Sequence, residues 1–384
     1  MEEISGVRSA AFVMLLPAGA ASETEGREGS STVLEGLVYR GAGERDARAL
    51  SDALDRLGVQ RQGGAELEHT SFGGSLLADD LERALALYAD IVRRPRLPES
   101  DLDAEKALAL QKLEALEDNP TQKLFVHLRR RFFHGPYGRS TLGDRDAIER
   151  LTIDFLREDH AARYRPEGAL LAVAGRFEWD RLRDTVATLF GDWEGAAPAV
   201  QHVPDETAQE QIGVAWSSLP VTDPNYYRSR LALQVLSGGM GARLFTEVRE
   251  KRGLCYSVGA FPGNIRGAGY VQAYAGTTPE RSQETLDVLL AELRRMKKGV
   301  AEEELTRARV GLLSALVMQG EASRARAAAI ARDQYLLGRV RSLEEIRAEV
   351  ERVDLDGLNA WLAAQPDPAF TIVTLGPRTL EMAV

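Results

Sequence analysis

A chain of 384 residues is too long for one ordinary domain and comfortable for two. Hydrophobic residues at 44% and charged residues at 28% are ordinary globular proportions, which excludes disordered, collagen-like and low-complexity chains. The single cysteine, Cys255, excludes a disulfide framework or a multi-thiolate metal site, and a formal charge of −10 argues against a dedicated nucleic-acid binder.

The first predicted element is a buried strand over 11–19, AFVMLLPAG, ending in a Pro-Ala-Gly turn. The wider stretch Ala10 to Ser22 also resembles a signal-peptide core. Glu2 and Glu3 stand where a positive leader is wanted, however, with Arg8 as the only counterweight, so a cytoplasmic location is expected over a secreted or periplasmic one. No apolar run reaches about eighteen residues, so no membrane span is expected.

Ala47 to Leu57 has the helical period, and the pairs Gly63-Gly64 and Gly73-Gly74 read as short turns between strands. Leu81 to Val92 is an amphipathic helix, and Pro98 to Asp101 caps a second helix running to about Leu116. Arg129, Arg130 and Arg131 read as the solvated face of a helix whose other side is Leu124, Phe125 and Leu128. Leu170 to Gly175 is an apolar strand stopped by glycine, and Gly191-Asp192-Trp193 sits at the chain midpoint.

A linker-like stretch over 194–208 follows, with Pro198 and Pro204 and no apolar period. Beyond it Ser282 to Leu293 echoes the first helix, Glu302 to Met318 echoes the second, and Phe370 to Gly376 echoes the closing strand. The two closing glycines lie 201 residues apart, so a whole domain is duplicated. The predicted fold class is α+β: two homologous domains, each a mostly antiparallel sheet with helices on one face. The expected division is 1–193, a linker over 194–208, and 209–384.

Local catalytic motifs are absent. His69, His127, His134, His160 and His202 form no HxxH, HxxxH or HExxH, and there is no Gly-x-Ser-x-Gly elbow. Ser237-Gly238-Gly239-Met240-Gly241 lacks the Lys-Ser/Thr of a phosphate loop and reads as a turn between elements.

The string Gly29 to Ala42, GSSTVLEGLVYRGA, nevertheless resembles the signature GxAHFLEHMxFKGT of the pitrilysin/insulinase-type zinc peptidases, in the branch that includes mitochondrial processing peptidase. Pro136 to Arg139, Tyr164 to Pro166, Gly191 to Trp193 and Ser237 to Val258 resemble that family's landmarks in the family's order. The resemblance spans Ala10 to Gly376 and implies the same duplicated architecture.

Set against the family's H-x-x-E-H, the ligand histidines are replaced by Thr32 and Gly36, while Glu35 matches the general base. On the later helix, Glu105 matches a supporting glutamate and Lys112 stands at the third ligand. An ammonium there opposes a dication by several kcal/mol at an effective dielectric of about 20. In the second half, Arg249 and Tyr256 match a pair that the family presents to substrate, a guanidinium for a peptide carbonyl and a hydroxyl for the oxyanion.

The resemblance therefore implies a non-catalytic subunit of a heterodimeric zinc peptidase. Such a chain is no enzyme on its own and binds no metal; zinc is expected only in a homologous partner that bears H-x-x-E-H. It would form half of a clam-shell, bind unfolded peptides as an added strand and complete the partner's site, with a homodimer open to the isolated chain. Three other readings stay open. One is a structural scaffold homologue without a proteolytic partner, and another is an enzyme in its own right, built on an unrelated constellation or an unexpected metal. On the third, Arg249 is part of an ion-pair face, Tyr256 a core residue, and Glu35 and Glu105 solvated helix residues.

Overall fold

The computed structural model describes residues 1–4, 6–195, 211–377 and 380–381. The expected linker over 194–208 lies outside the described residues apart from Glu194 and Gly195. The chain divides into two compact units.

The first unit is built on a five-stranded sheet in the order Glu2–Glu3, Leu170–Gly175, Ser9–Leu16, Thr70–Leu77, Gln60–Ala65. Only the first pair is parallel. The Ser9–Leu16 strand is central because it is apolar on both faces. Ala10, Phe12, Met14 and Leu16 enter the main core with Leu50, Leu54, Leu85 and Ile91, and Phe12 meets Tyr88 edge-on at 4.8 Å. Those partners come from the Ala47–Arg56 and Leu81–Arg93 helices, which lie where the helical period placed them. Asp46 starts the former by accepting the Ala49 N–H at 2.8 Å.

Ala11 and Val13 point the other way, into a second cluster with Ala172, Ala174, Ala327, Ile330 and Ala331. The last three belong to the Ser323–Leu337 helix, so the expectation of helices on one face is extended: the opposite face carries one further helix from late in the chain. Arg326 of that helix is buried and forks onto Glu2, at 2.7 and 2.6 Å.

The second unit repeats the plan with four antiparallel strands in the order Thr371–Val373, Ile212–Ser218, Ala268–Thr277, Cys255–Ile265. One face packs on the Tyr226–Ser237 and Ser282–Arg295 helices. On the other, Leu124 and Leu128 of the Pro120–Phe132 helix meet Ala215, Tyr274 and Val373. The expected solvated face holds for Arg130 and Arg131 but not for Arg129, which is half-buried; opposite it Leu124 and Leu128 are fully buried and Phe125 half-buried. Asn119–Phe133 therefore belongs to the second unit and Glu321–Gln334 to the first, a reciprocal exchange that crosses the expected domain limits. Among the described residues no helix is long and apolar enough to cross a membrane.

The glycine pairs depart from expectation. Gly63-Gly64 and Gly73-Gly74 lie inside paired strands, and the turn is Glu66–His69, closed by Glu66 N–H to His69 O at 2.8 Å. The reason is close backbone approach: a Cβ on Gly63 would meet Ser71 O at 2.2 Å, and one on Gly73 would meet Phe12 O at 2.5 Å. The closing strand expected over Phe370 to Gly376 is shorter, Thr371–Val373.

Candidate functional site

The string that resembles the zinc signature folds as the Ser30–Leu37 helix, and i, i+3, i+4 spacing sets Thr32, Glu35 and Gly36 on one face. The helix start is held from outside. Its N-cap residue, Gly29, has φ 103° and no side chain, and the Glu23 carboxyl accepts the Gly29 and Ser31 N–H groups at 3.0 and 2.8 Å. Behind it Arg163, 2% exposed, donates to Ser30 Oγ, Ser31 Oγ and Ala18 O at 3.1, 2.9 and 2.9 Å and forks onto Asp159, with Nε to Oδ1 at 2.7 Å. Burial pushes the Glu23 carboxyl up to about 7, against the pull of Arg163 and the two N–H groups.

The Leu102–Glu117 helix packs against this face. Glu105 is buried, which overturns the solvated-helix reading for it. Its carboxylate lies over Gly36, where a Cβ would meet Glu105 Oε2 at 2.1 Å, and it accepts from Arg40 Nε at 2.5 Å. Thr32 is buried too, and its hydroxyl donates to Thr141 O at 2.7 Å. Glu35 is half-buried, and that burial raises its carboxyl. Lys112 lowers it, Glu105 raises it and Arg61 lowers it, in that order of strength. Lys112 is exposed, about two turns along the same helical face from Glu105.

These groups do not make a zinc donor set. One ligand position offers a hydroxyl spent on a carbonyl, one a bare backbone covered by an ion-paired carboxylate, and one an ammonium. Among the described residues no group of three or more His, Cys, Asp and Glu side chains stands where it could hold a metal. The sequence reading missed Arg40, Glu23 and Arg163. The only signal for the last was its i, i+4 spacing from Asp159.

Arg249 and Tyr256 lie in the second unit. Phe245–Glu250 is a π-helical turn, with Lys251 N–H bonded to Thr246 O at 2.9 Å, and such turns recur at functional sites. Gly253, at φ 57°, then swings the chain into the Cys255–Ile265 strand. The ion-pair face exists, but Glu247 carries it, with Lys251 at 2.7 Å and Arg252 at 2.9 Å. Arg249 stays outside it, exposed, with its guanidinium 4.8 Å from the Phe245 ring centroid.

Tyr256 is 65% exposed, which overturns its reading as a core residue, while Cys255 faces the core. The Tyr256 ring lies over Gly276, where a Cβ would meet it at 2.7 Å, and its hydroxyl stands 3.4 Å from that of Tyr274. Thr121 Oγ1 donates to the Tyr274 hydroxyl at 3.1 Å, and burial pushes that phenol up to about 12. No hydrogen bond joins Arg249 to Tyr256. Each is a separate, solvent-facing donor.

Comparison with known proteins agrees with this layout. The profile of the insulinase family (peptidase family M16) matches residues 2–145, and that of the peptidase M16 inactive domain matches residues 150–312. An uncharacterized zinc protease of Streptomyces coelicolor is 28% identical over 94% of this chain and 83% of its own. The crystal structure of a peptidase M16 inactive domain from Pseudomonas fluorescens superposes with a TM-score of 0.87 at 23% identity, covering 99% of this chain and 95% of that one. A chain of complex III2 from Candida albicans gives 0.79 at 18%, covering 97% and 92%. The degenerate helix thus falls under the insulinase profile and the Arg/Tyr pair under the inactive-domain profile, on a shared fold: the chain belongs to the M16 peptidase family.

Proposed function

We propose that this chain is the non-catalytic subunit of a two-subunit zinc peptidase, binding unfolded peptide and completing the active site of an H-x-x-E-H partner. The observation that carries the reading is the contrast between the two sites. At the ligand positions Thr32, Gly36 and Lys112 offer no donor set, whereas Arg249 and Tyr256 present polar groups at the surface. On this reading zinc resides in the partner alone, and the assembly is cytoplasmic. Arg249 would bind a substrate carbonyl and Tyr256 the developing oxyanion. The Gln60–Ala65 strand, at the edge of the first sheet and beside the Ser30–Leu37 helix, offers unpaired backbone for an added peptide strand.

The test is co-expression with a homologous chain bearing H-x-x-E-H, followed by peptide cleavage with each subunit alone and with both. Activity is expected only in the mixture, and Arg249→Ala should lower it by about 10². A loss within about twofold removes the role given to Arg249. Zinc at one equivalent with chelator-sensitive cleavage by the pure chain would overturn the whole reading. The scaffold alternative draws on the likeness to the complex III2 chain, which is one of fold alone, and predicts no activity in the mixture.

A further inference from the structure

The face shared by the Ser30–Leu37 helix, the Leu102–Glu117 helix and the Gln60–Ala65 edge strand holds five charged side chains: Glu35, Arg40, Arg61, Glu105 and Lys112. Glu105 and Arg40 cancel one another at 2.5 Å. Glu35 alone is left against two cations that both act on it, Lys112 and Arg61. Neither cation forms an ion pair with any described residue, and Arg61 instead rests over the Tyr39 ring, 5.6 Å from its centroid. Both are exposed. A positive excess of one charge therefore persists with Glu35 ionised, in a chain whose total is −10. It borders an edge strand paired on one side only.

We propose that this face is a carboxylate-binding subsite: a peptide paired along Gln60–Ala65 places a carboxylate group between Lys112 and Arg61. The guanidinium of Arg61 can fork onto both oxygens, and the ammonium of Lys112 adds a point charge. Burial of Glu35 strengthens the site, since a carboxyl that is harder to ionise opposes the incoming anion less. The carboxylate can be the peptide's own C-terminus or an acidic side chain. The proposal rests on peptide capture but not on a zinc-bearing partner.

The test uses the full-length chain and fluorescence anisotropy with three N-terminally labelled extended peptides. One has a free C-terminal carboxylate, one is its neutral amide, and one is an amide with Glu as its last residue. The free acid is expected to bind about tenfold more tightly than the neutral amide, with the gap shrinking as salt rises from roughly 50 to 500 mM. Lys112→Met should bring the gap to within about twofold, and Lys112→Arg should keep it. Glu-amide binding close to the free acid supports the subsite and assigns it to side chains, whereas binding close to the neutral amide assigns it to C-termini. Equal binding of all three overturns the subsite and leaves peptide capture standing. Absence of binding by any of the three overturns both.

Discussion

Replacing Gly36 by alanine sets two physical effects against each other with opposite signs. In the last turn of the Ser30–Leu37 helix the exchange should stabilise the protein by up to about 1 kcal/mol, because glycine has the larger backbone entropy to lose. The structure opposes that. The new Cβ would lie 2.1 Å from Glu105 Oε2 and 2.9 Å from its Cδ, so the carboxylate must leave. Leaving breaks its bond with Arg40 and strands a buried acid, at about 1–3 kcal/mol.

Arg40 is 37% exposed, so solvent screens the pair and the lower half of that range applies. The net expectation is destabilisation by roughly 0.5–1 kcal/mol, a fall of about 1–4 °C in Tm. In a Glu105→Ala background the obstacle is gone, and Gly36→Ala should become stabilising by up to about 1 kcal/mol. Thermal melts and urea midpoints of the four proteins give the coupling, expected at about 1–2 kcal/mol. If Gly36→Ala raises Tm in the wild-type background, the carboxylate is not held against Gly36 and the argument fails.

Two further outcomes follow from the network behind the motif helix. Burial raises the Glu23 carboxyl to about 7, so the fold favours its neutral form; the stability it contributes is full below about 4.5 and is lost as pH rises through about 7. Wild-type stability should fall between about pH 4.5 and 7 more steeply than that of Glu23→Gln, by up to about 3 kcal/mol, and parallel slopes would refute this. Arg163→Met leaves Asp159 buried without its cation and should cost about 3–5 kcal/mol in urea unfolding; a cost under about 1 kcal/mol would show that Arg163 does not hold that network.

The parts legible in the sequence are those that depend on short periods. The Leu81–Arg93 and Ser282–Arg295 helices carry their core faces in their own spacing and the Leu170–Gly175 strand is a plain apolar run, so the duplication could be read from them and their echoes. The exchanged helices could not be placed that way. Ser323–Leu337 buries small residues such as Ala327 and Ala331, whose apolar stripe is faint, and nothing local says which sheet it covers. Gly63 and Gly73 misled because a glycine that admits a neighbouring strand looks, in isolation, like one that turns the chain. Arg163 gathers its partners from Ala18, Ser30, Ser31 and Asp159, a convergence visible only in three dimensions. The π-helical turn at Phe245–Glu250 is too short to alter any side-chain period.

At the motif itself the sequence revealed which ligands were missing but not what had replaced them. The three departures support one another. Loss of the Gly36 side chain makes room for the Glu105 carboxylate, and Arg40 then satisfies that carboxylate. The Thr32 hydroxyl is bound to the Thr141 carbonyl, and the Lys112 ammonium lowers the cost of ionising Glu35. A histidine restored at position 36 alone would meet Glu105, and one at position 32 alone would free the Thr141 carbonyl. No single reversion yields a donor set, because each altered position now rests on its neighbours. On the proposed reading, a face made self-consistent in this way, with positive charge to spare and an open strand edge beside it, serves peptide capture in place of zinc chemistry.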